Sequence, residues 1–95
     1  ILNLFTRNMR KIKRNSIRSF LINLLEEKGP IPKKFKKNIL QYRYLDSAHI
    51  DSLGILSFIS RIESKFNIKL NEKDTNSDEF RYIKGLVKII ESKIG

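Results

Sequence analysis

The chain has 95 residues, with twenty Lys and Arg against ten Asp and Glu, one histidine and no cysteine, for a formal net charge of +10. That length allows one domain with a small core. The missing cysteines exclude disulfides, thiol catalysis and thiolate metal sites, and a lone histidine leaves little for zinc. The composition, 40% apolar and 32% charged, is that of a soluble globular protein, and no apolar run nears the ~20 residues of a membrane span.

The charge is uneven. Residues 1–44 carry twelve Lys and Arg against Glu26 and Glu27, whereas residues 45–95 carry eight charges of each sign. In the first segment, "ILNLFTRNMRKIKRN", Leu2, Phe5, Met9 and Ile12 recur three to four residues apart with basic residues between them. This is the pattern of a basic amphipathic helix. Met9 followed by "RKIKRN" would also suit a chain start, with residues 1–8 as an upstream extension. The basic cluster follows the short apolar stretch instead of preceding it, so no signal peptide is read here. Residues 1–15 are taken as a basic N-terminal extension and residues 16–95 as the domain.

A helix is expected from about Ser16 to Lys28, with Ser16 as its cap and Ile17, Phe20, Leu21, Leu24 and Leu25 as the buried stripe; Gly29-Pro30 ends it. A connection of over twenty residues follows, in which "PKKFKKNIL" suggests one or two turns with Phe35 and Ile39 inward. The second helix runs from Ser52 to about Asn67, capped by Asp51, whose charge complements the positive end of the helix dipole. Its stripe is Ile55, Phe58, Ile59, Ile62 and Phe66. "NIKLNEKDTN" reads as polar connection anchored by Ile68 and Leu70. "NSDEFRY" reads as one helical turn capped by Asn76 or Ser77, with Phe80 inward. The last helix covers Ile83 to Ser92, with Ile83, Leu86, Val87 and Ile90 buried. Strand alternation is absent, so the fold class is all-α: three main helices plus one short one, with a long loop between the first and second.

The chain offers no catalytic constellation. Asp46, His49 and Ser52 have the residue types of a hydrolase triad, but His49 sits only three residues before Ser52 on the approach to a helix, and nothing supplies an oxyanion hole. His49 reads as a loop residue. The basic half would suit phosphates, an anionic membrane surface or an acidic partner. Without a helix-turn-helix pattern nucleic acid is the weaker of these, and a plain solvated face is the simplest alternative.

Ser52 and Gly54 stand out. Asp51-Ser52 is an ordinary helix start, but glycine two positions on costs about 0.8–1 kcal/mol against alanine. It makes sense if something approaches the backbone beside Ser52. A helix start is also where a phosphate on Ser52 would be well tolerated.

"IDSLGILSFISRIESKFNIKL" resembles the core of the acyl carrier protein superfamily. The tail "NSDEFRYIKGLVKII" is similar to the family's short third helix, buried Phe-Arg step and last helix, and "YRYLDSAHIDSL" to its aromatic-and-aliphatic loop anchor. The resemblance spans about residues 16–93 and implies a four-helix acyl-carrier-like bundle. Ser52 would carry a phosphopantetheine arm, attached by a phosphopantetheinyl transferase from coenzyme A. Asp51 would cap the helix and help position that enzyme and its metal. The exposed face beyond it, with Leu53, Gly54, Leu56, Ser57, Ser60 and Glu63, would meet partners. The arm's thiol would hold a fatty acyl, aminoacyl or polyketide group as a thioester, loaded by a ligase and passed to a downstream transferase.

The resemblance thus implies a cytoplasmic, monomeric carrier that is not itself an enzyme. Two departures point to a specialised pathway. The second helix lacks the run of acids that family members in fatty-acid synthesis present to their enzymes, and Tyr82 stands where a small hydroxyl residue commonly caps the last helix. The alternative is a non-enzymatic basic module acting through residues 1–44.

Overall fold

Apolar side chains three and four residues apart place Ile17, Leu21, Leu24 and Leu25 on one helical stripe, and all four are buried in the computed structural model of the protein. The structure describes the backbone of residues 2–94 and the side chains of residues 13–94. Four α-helices follow one another: α1 (Leu2–Glu26), α2 (Gly54–Phe66), the short α3 (Glu72–Thr75) and α4 (Ile83–Ile94). Three 3-10 turns, Lys33–Phe35, Ile39–Gln41 and Glu79–Arg81, lie in the connections. The fold is a small all-helical bundle with three longer helices and one short one, and no strand occurs among the described residues.

Four boundaries depart from expectation. The second helix, expected from Ser52, begins at Gly54, because Ser52 and Leu53 form a turn closed by Gly54 N–H on the Asp51 carbonyl ahead of it. Ser16 caps nothing, because α1 begins at Leu2 and runs through it. No Gly or Pro interrupts residues 1–28, so one hydroxyl side chain gives the helix no reason to stop. The "polar connection" contains α3, held by a reciprocal cap: Asp74 N–H donates to the Asn71 side chain (2.8 Å) and Asn71 N–H to the Asp74 carboxylate (2.9 Å). The turn expected at residues 76–82 is the 3-10 turn Glu79–Arg81, and it has no side-chain cap. Ser77 Oγ instead donates back to the Asp74 carbonyl at 2.7 Å.

The long loop is sealed to the core by two tyrosines, both buried. Tyr44 packs between Phe58 of α2 and Phe80, and its hydroxyl donates to the Phe80 carbonyl. Burial pushes its phenol well above the usual range. The Tyr42 carbonyl accepts Ile83 N–H at 3.2 Å, stitching the loop to the start of α4. His49, expected as a plain loop residue, is half-buried and bridges two elements. Its Nε2 lies 2.7 Å from the Leu25 carbonyl at the end of α1, and its Nδ1 lies 2.8 Å from Tyr42 Oη. A carbonyl can only accept, so Nε2 carries the proton.

α4 supplies much of the core through Ile83, Leu86, Val87 and Ile90, each such side chain contributing roughly 1.5–3 kcal/mol on burial. Phe58 and Ile62 of α2 are buried, while Ile55, Ile59 and Phe66 pack half-buried at its margin. α2 ends at Asn67, which adopts the left-handed conformation (φ 53°) that asparagine tolerates. The following Ile68 N–H closes onto the Glu63 carbonyl at 3.1 Å, and the Ile68 side chain is buried.

A charged cluster fixes the loop to the 79–81 turn. Arg43 Nε lies 2.5 Å from Asp46 Oδ2, Arg81 Nε lies 2.8 Å from Asp46 Oδ1, and Arg43 also reaches Asp78 at 2.6 Å. Hydrogen bonds from Arg81 and then Arg43 hold the Asp46 carboxyl below its ordinary value of 3.8. A depressed folded value means the stabilisation is complete above the unfolded value and is lost as pH falls through the folded one. Below about pH 4, the urea midpoint is therefore expected to fall more steeply for the wild type than for Asp46→Asn. Parallel acid limbs would contradict this role.

Candidate functional site

The start of α2 is built by Asp51. Its carbonyl accepts Ile55 N–H at 3.1 Å, the first full helical bond, and its Oδ1 accepts Gly54 N–H at 2.6 Å. That is the geometry of an N-cap reaching the third helical residue, although regular helix begins at Gly54. Ser52 therefore lies in the capped turn that leads into α2, two residues before its first regular residue and exposed to solvent, where unpaired N–H groups and the helix dipole favour an anion. Asp51→Ala is expected to cost about 0.5–2 kcal/mol, while Asp51→Asn, an equally good cap, stays near neutral. Urea unfolding of the pair checks this, and equal losses would mean that the carboxylate acts otherwise than as a cap.

Gly54 has a local explanation beyond clearance for a ligand. A Cβ built there would lie 3.1 Å from Asp51 Oδ1 and 3.3 Å from Ile50 Cγ2. The capping carboxylate and the buried Ile50 thus press on the glycine from the protein's own side.

The remaining candidates share the outward face of α2. Leu53 is 87% exposed and Leu56 73%, and these are the exposed large hydrophobics of the described chain. Ser57 and Ser60 are exposed beside them, in the i, i+3, i+4 and i+7 register that lines one helix face. Glu63, grouped with them by sequence, faces differently. It is half-buried, and its Oε2 accepts Leu70 N–H at 2.8 Å, holding the connection that follows α2.

Both acids of the segment are therefore occupied internally, Asp51 by the cap and Glu63 by Leu70. The nearest cation on the helix is also paired: Arg61 reaches Glu27 at 2.8 Å, and that hydrogen bond holds the Glu27 carboxyl below its ordinary value. What remains beside Ser52 is an uncharged surface of two leucines and two serines.

Tyr82 gives the last helix only its carbonyl, which accepts Leu86 N–H at 3.0 Å. Its ring lies 5.4 Å from the Arg43 guanidinium. Among the described residues no group of three His, Asp or Glu could hold a metal ion, and no helix is long and apolar enough to cross a membrane. The internal roles of Glu63 and His49 escaped the sequence reading, since each depends on a backbone group on another segment. Compared with protein-family models, curated proteins and solved structures, the chain has no significant match.

Proposed function

We propose that the protein is a stand-alone carrier, modified on Ser52 with phosphopantetheine and presenting an acyl or aminoacyl group to partner enzymes in the cytoplasm. The observation that carries this reading is the exposed Ser52 in the turn that leads into a helix, a turn closed by its neighbour Asp51, beside two exposed leucines.

The residues fit the group. The Ser52 hydroxyl is open to solvent, the helix start tolerates the phosphodiester that modification would create, and Leu53 and Leu56 offer apolar surface beside it. In the transfer, an Oγ–P bond forms as the P–O bond to the adenosine bisphosphate portion of coenzyme A breaks, and the hydroxyl proton leaves to the transferase. When bound, the arm supplies the thiol on which a cargo is held as a thioester; the chain itself contributes no cysteine. Ser52 anchors, Asp51 fixes the helix start, and Leu53, Leu56, Ser57 and Ser60 meet the partner. The carrier catalyses nothing by itself.

An uncharged docking face suits a dedicated ligase or transferase that recognises apolar surface, with little steering by acidic charge. The experiment is intact mass and peptide mapping after incubation with coenzyme A and a broad-range phosphopantetheinyl transferase. The expected result is one arm per chain, on Ser52. A chain left unmodified while a known carrier is converted would end the proposal.

The second reading, a basic module acting through residues 1–44, draws on the continuity of α1 from Leu2, which carries Arg7, Arg10, Lys11, Lys13 and Arg14 on one helix. Salt-dependent binding to anionic vesicles that is lost on deleting residues 1–15 would favour it.

A further inference from the structure

A groove of about 320 Å³ lies where α1, α4 and the Ile39–Gln41 turn meet. Its sides are Arg14 and Arg18 of α1 and Lys84 and Lys88 of α4, and Leu40 and Val87 supply its apolar lining. Glu91 is its single acid, and that carboxylate is held by Arg14 Nε at 3.2 Å. The groove thus keeps a formal charge of +3. Arg18 also lines a second hollow of about 240 Å³, which shares Leu40 and adds Lys37 and Asn38. The two form one basic trench with Arg18 at its centre.

Arg18 is the informative residue. Its Nε is fully buried and has no hydrogen-bond partner among the described residues. The other arginines with described contacts behave differently: Arg14, Arg43 and Arg81 each place Nε on a carboxylate, and Arg61 pairs through Nη1. A buried donor of a permanently charged group is costly to leave unmade, and three uncompensated cations around apolar lining raise the local positive potential. Guanidinium matches phosphate oxygens in a planar fork, with lysines as flanking point charges.

We propose that this groove binds a phosphate ester bearing an apolar group. The phosphoryl oxygens meet Arg18 between Lys84 and Lys88, and the apolar part rests on Leu40 and Val87. The volume stands at the lower end of small-ligand sites (roughly 300–1,000 Å³). The site uses no residue of α2, so it stands or falls apart from the reading of Ser52. The same chemistry is offered by a soluble phosphorylated metabolite and by a phospholipid headgroup.

The test follows the arginine Nε–H signals by ¹⁵N NMR during titration of the full chain with butyl phosphate, inorganic phosphate and butyrate. The Arg18 signal is expected to move and saturate with butyl phosphate, at concentrations at least tenfold lower than with butyrate. Arg18→Gln and the surface pair Lys84→Gln/Lys88→Gln should each weaken binding about tenfold or more, roughly the loss of one charge-assisted hydrogen bond, while Arg61→Gln leaves it unchanged. The double lysine variant decides the matter if the arginine variant does not fold.

Vesicles of phosphatidylglycerol and of phosphatidylcholine separate the sources. Binding to the former that butyl phosphate displaces and Arg18→Gln abolishes assigns a headgroup. Butyl phosphate binding without vesicle binding assigns a soluble ester. An unmoved Arg18 signal, equal shifts at Arg18, Arg43, Arg61 and Arg81 without saturation, or an equal response to butyrate would each overturn the proposal.

Discussion

Gly85→Ala is expected to destabilise the bundle by at least about 1–3 kcal/mol, the usual cost of overpacking a core. In an exposed helix the same change would gain about 0.8–1 kcal/mol from alanine's higher propensity, so the sign itself is diagnostic. Gly85 is buried in the first turn of α4, where the Glu79–Arg81 turn crosses against the helix backbone. A Cβ there would clash with the Glu79 carbonyl oxygen and stand 2.5 Å from its Cα and 2.7 Å from its carbonyl carbon. These are backbone atoms and cannot swing aside as a side chain would. Relief requires the turn to move, and the turn carries the buried Phe80, the carbonyl that Tyr44 bonds and the Arg81 that holds Asp46.

At about 4–8 °C per kcal/mol for a domain of this size, the loss is readily measured by thermal melting. Gly54→Ala is the internal comparison. Its Cβ would meet the movable end of the Asp51 side chain at 3.1 Å and an Ile50 methyl at 3.3 Å, so its effect should be much smaller. Equal losses at the two positions would refute the backbone-contact account.

Ser52→Ala is expected to abolish phosphopantetheine transfer completely while changing stability by no more than about 0.5 kcal/mol, as for an exposed side chain outside any cap. The cap at this helix start belongs to Asp51, through the 2.6 Å bond to Gly54 N–H, and that bond survives loss of the Ser52 hydroxyl. Intact mass after the transferase reaction gives the first readout and a thermal melt the second. An alanine variant that still gains the arm would move the attachment elsewhere. A variant that loses the arm by unfolding would show that Ser52 is structural.

The Ser52 neighbourhood also explains the partner question that the charge pattern raises. The sparse acids of α2 are engaged within the fold, Asp51 on Gly54 N–H and Glu63 on Leu70 N–H. A partner approaching Leu53 and Leu56 therefore meets apolar side chains and hydroxyls, and the protein's conspicuous charge lies elsewhere, including the trench around Arg18.

Much of this architecture was legible in the residues. The 3.6-residue spacing placed Ile17, Leu21, Leu24 and Leu25, and Ile83, Leu86, Val87 and Ile90, in two buried stripes, because amphipathic periodicity is a local signal; Phe20, expected in the first stripe, is half-buried at its margin. The helix start at Asp51 and the burial of Phe80 were readable for the same reason. The cap of α3 was written as Asn71 and Asp74 three residues apart, a signature passed over because the surrounding segment is polar. Ser16 misled in the opposite direction: a favoured capping residue does not end a helix where no Gly or Pro interrupts the chain.

By itself the sequence determined where the three longer helices lie, which face of the core-forming stretches is apolar, that the chain has no thiol, and that Asp51 caps the approach to α2. The tertiary structure decided that Gly85 must be glycine, that Glu63 faces inward to Leu70, that His49 ties the loop to the end of α1, and that Arg14 and Arg18 meet Lys84 and Lys88 across a groove. Capping and periodicity act within about four residues along the chain. The second group of facts links residues beyond one helical turn, from six apart (Glu79 and Gly85) to 74 apart (Arg14 and Lys88), and their distances exist only once separate elements have packed on one core.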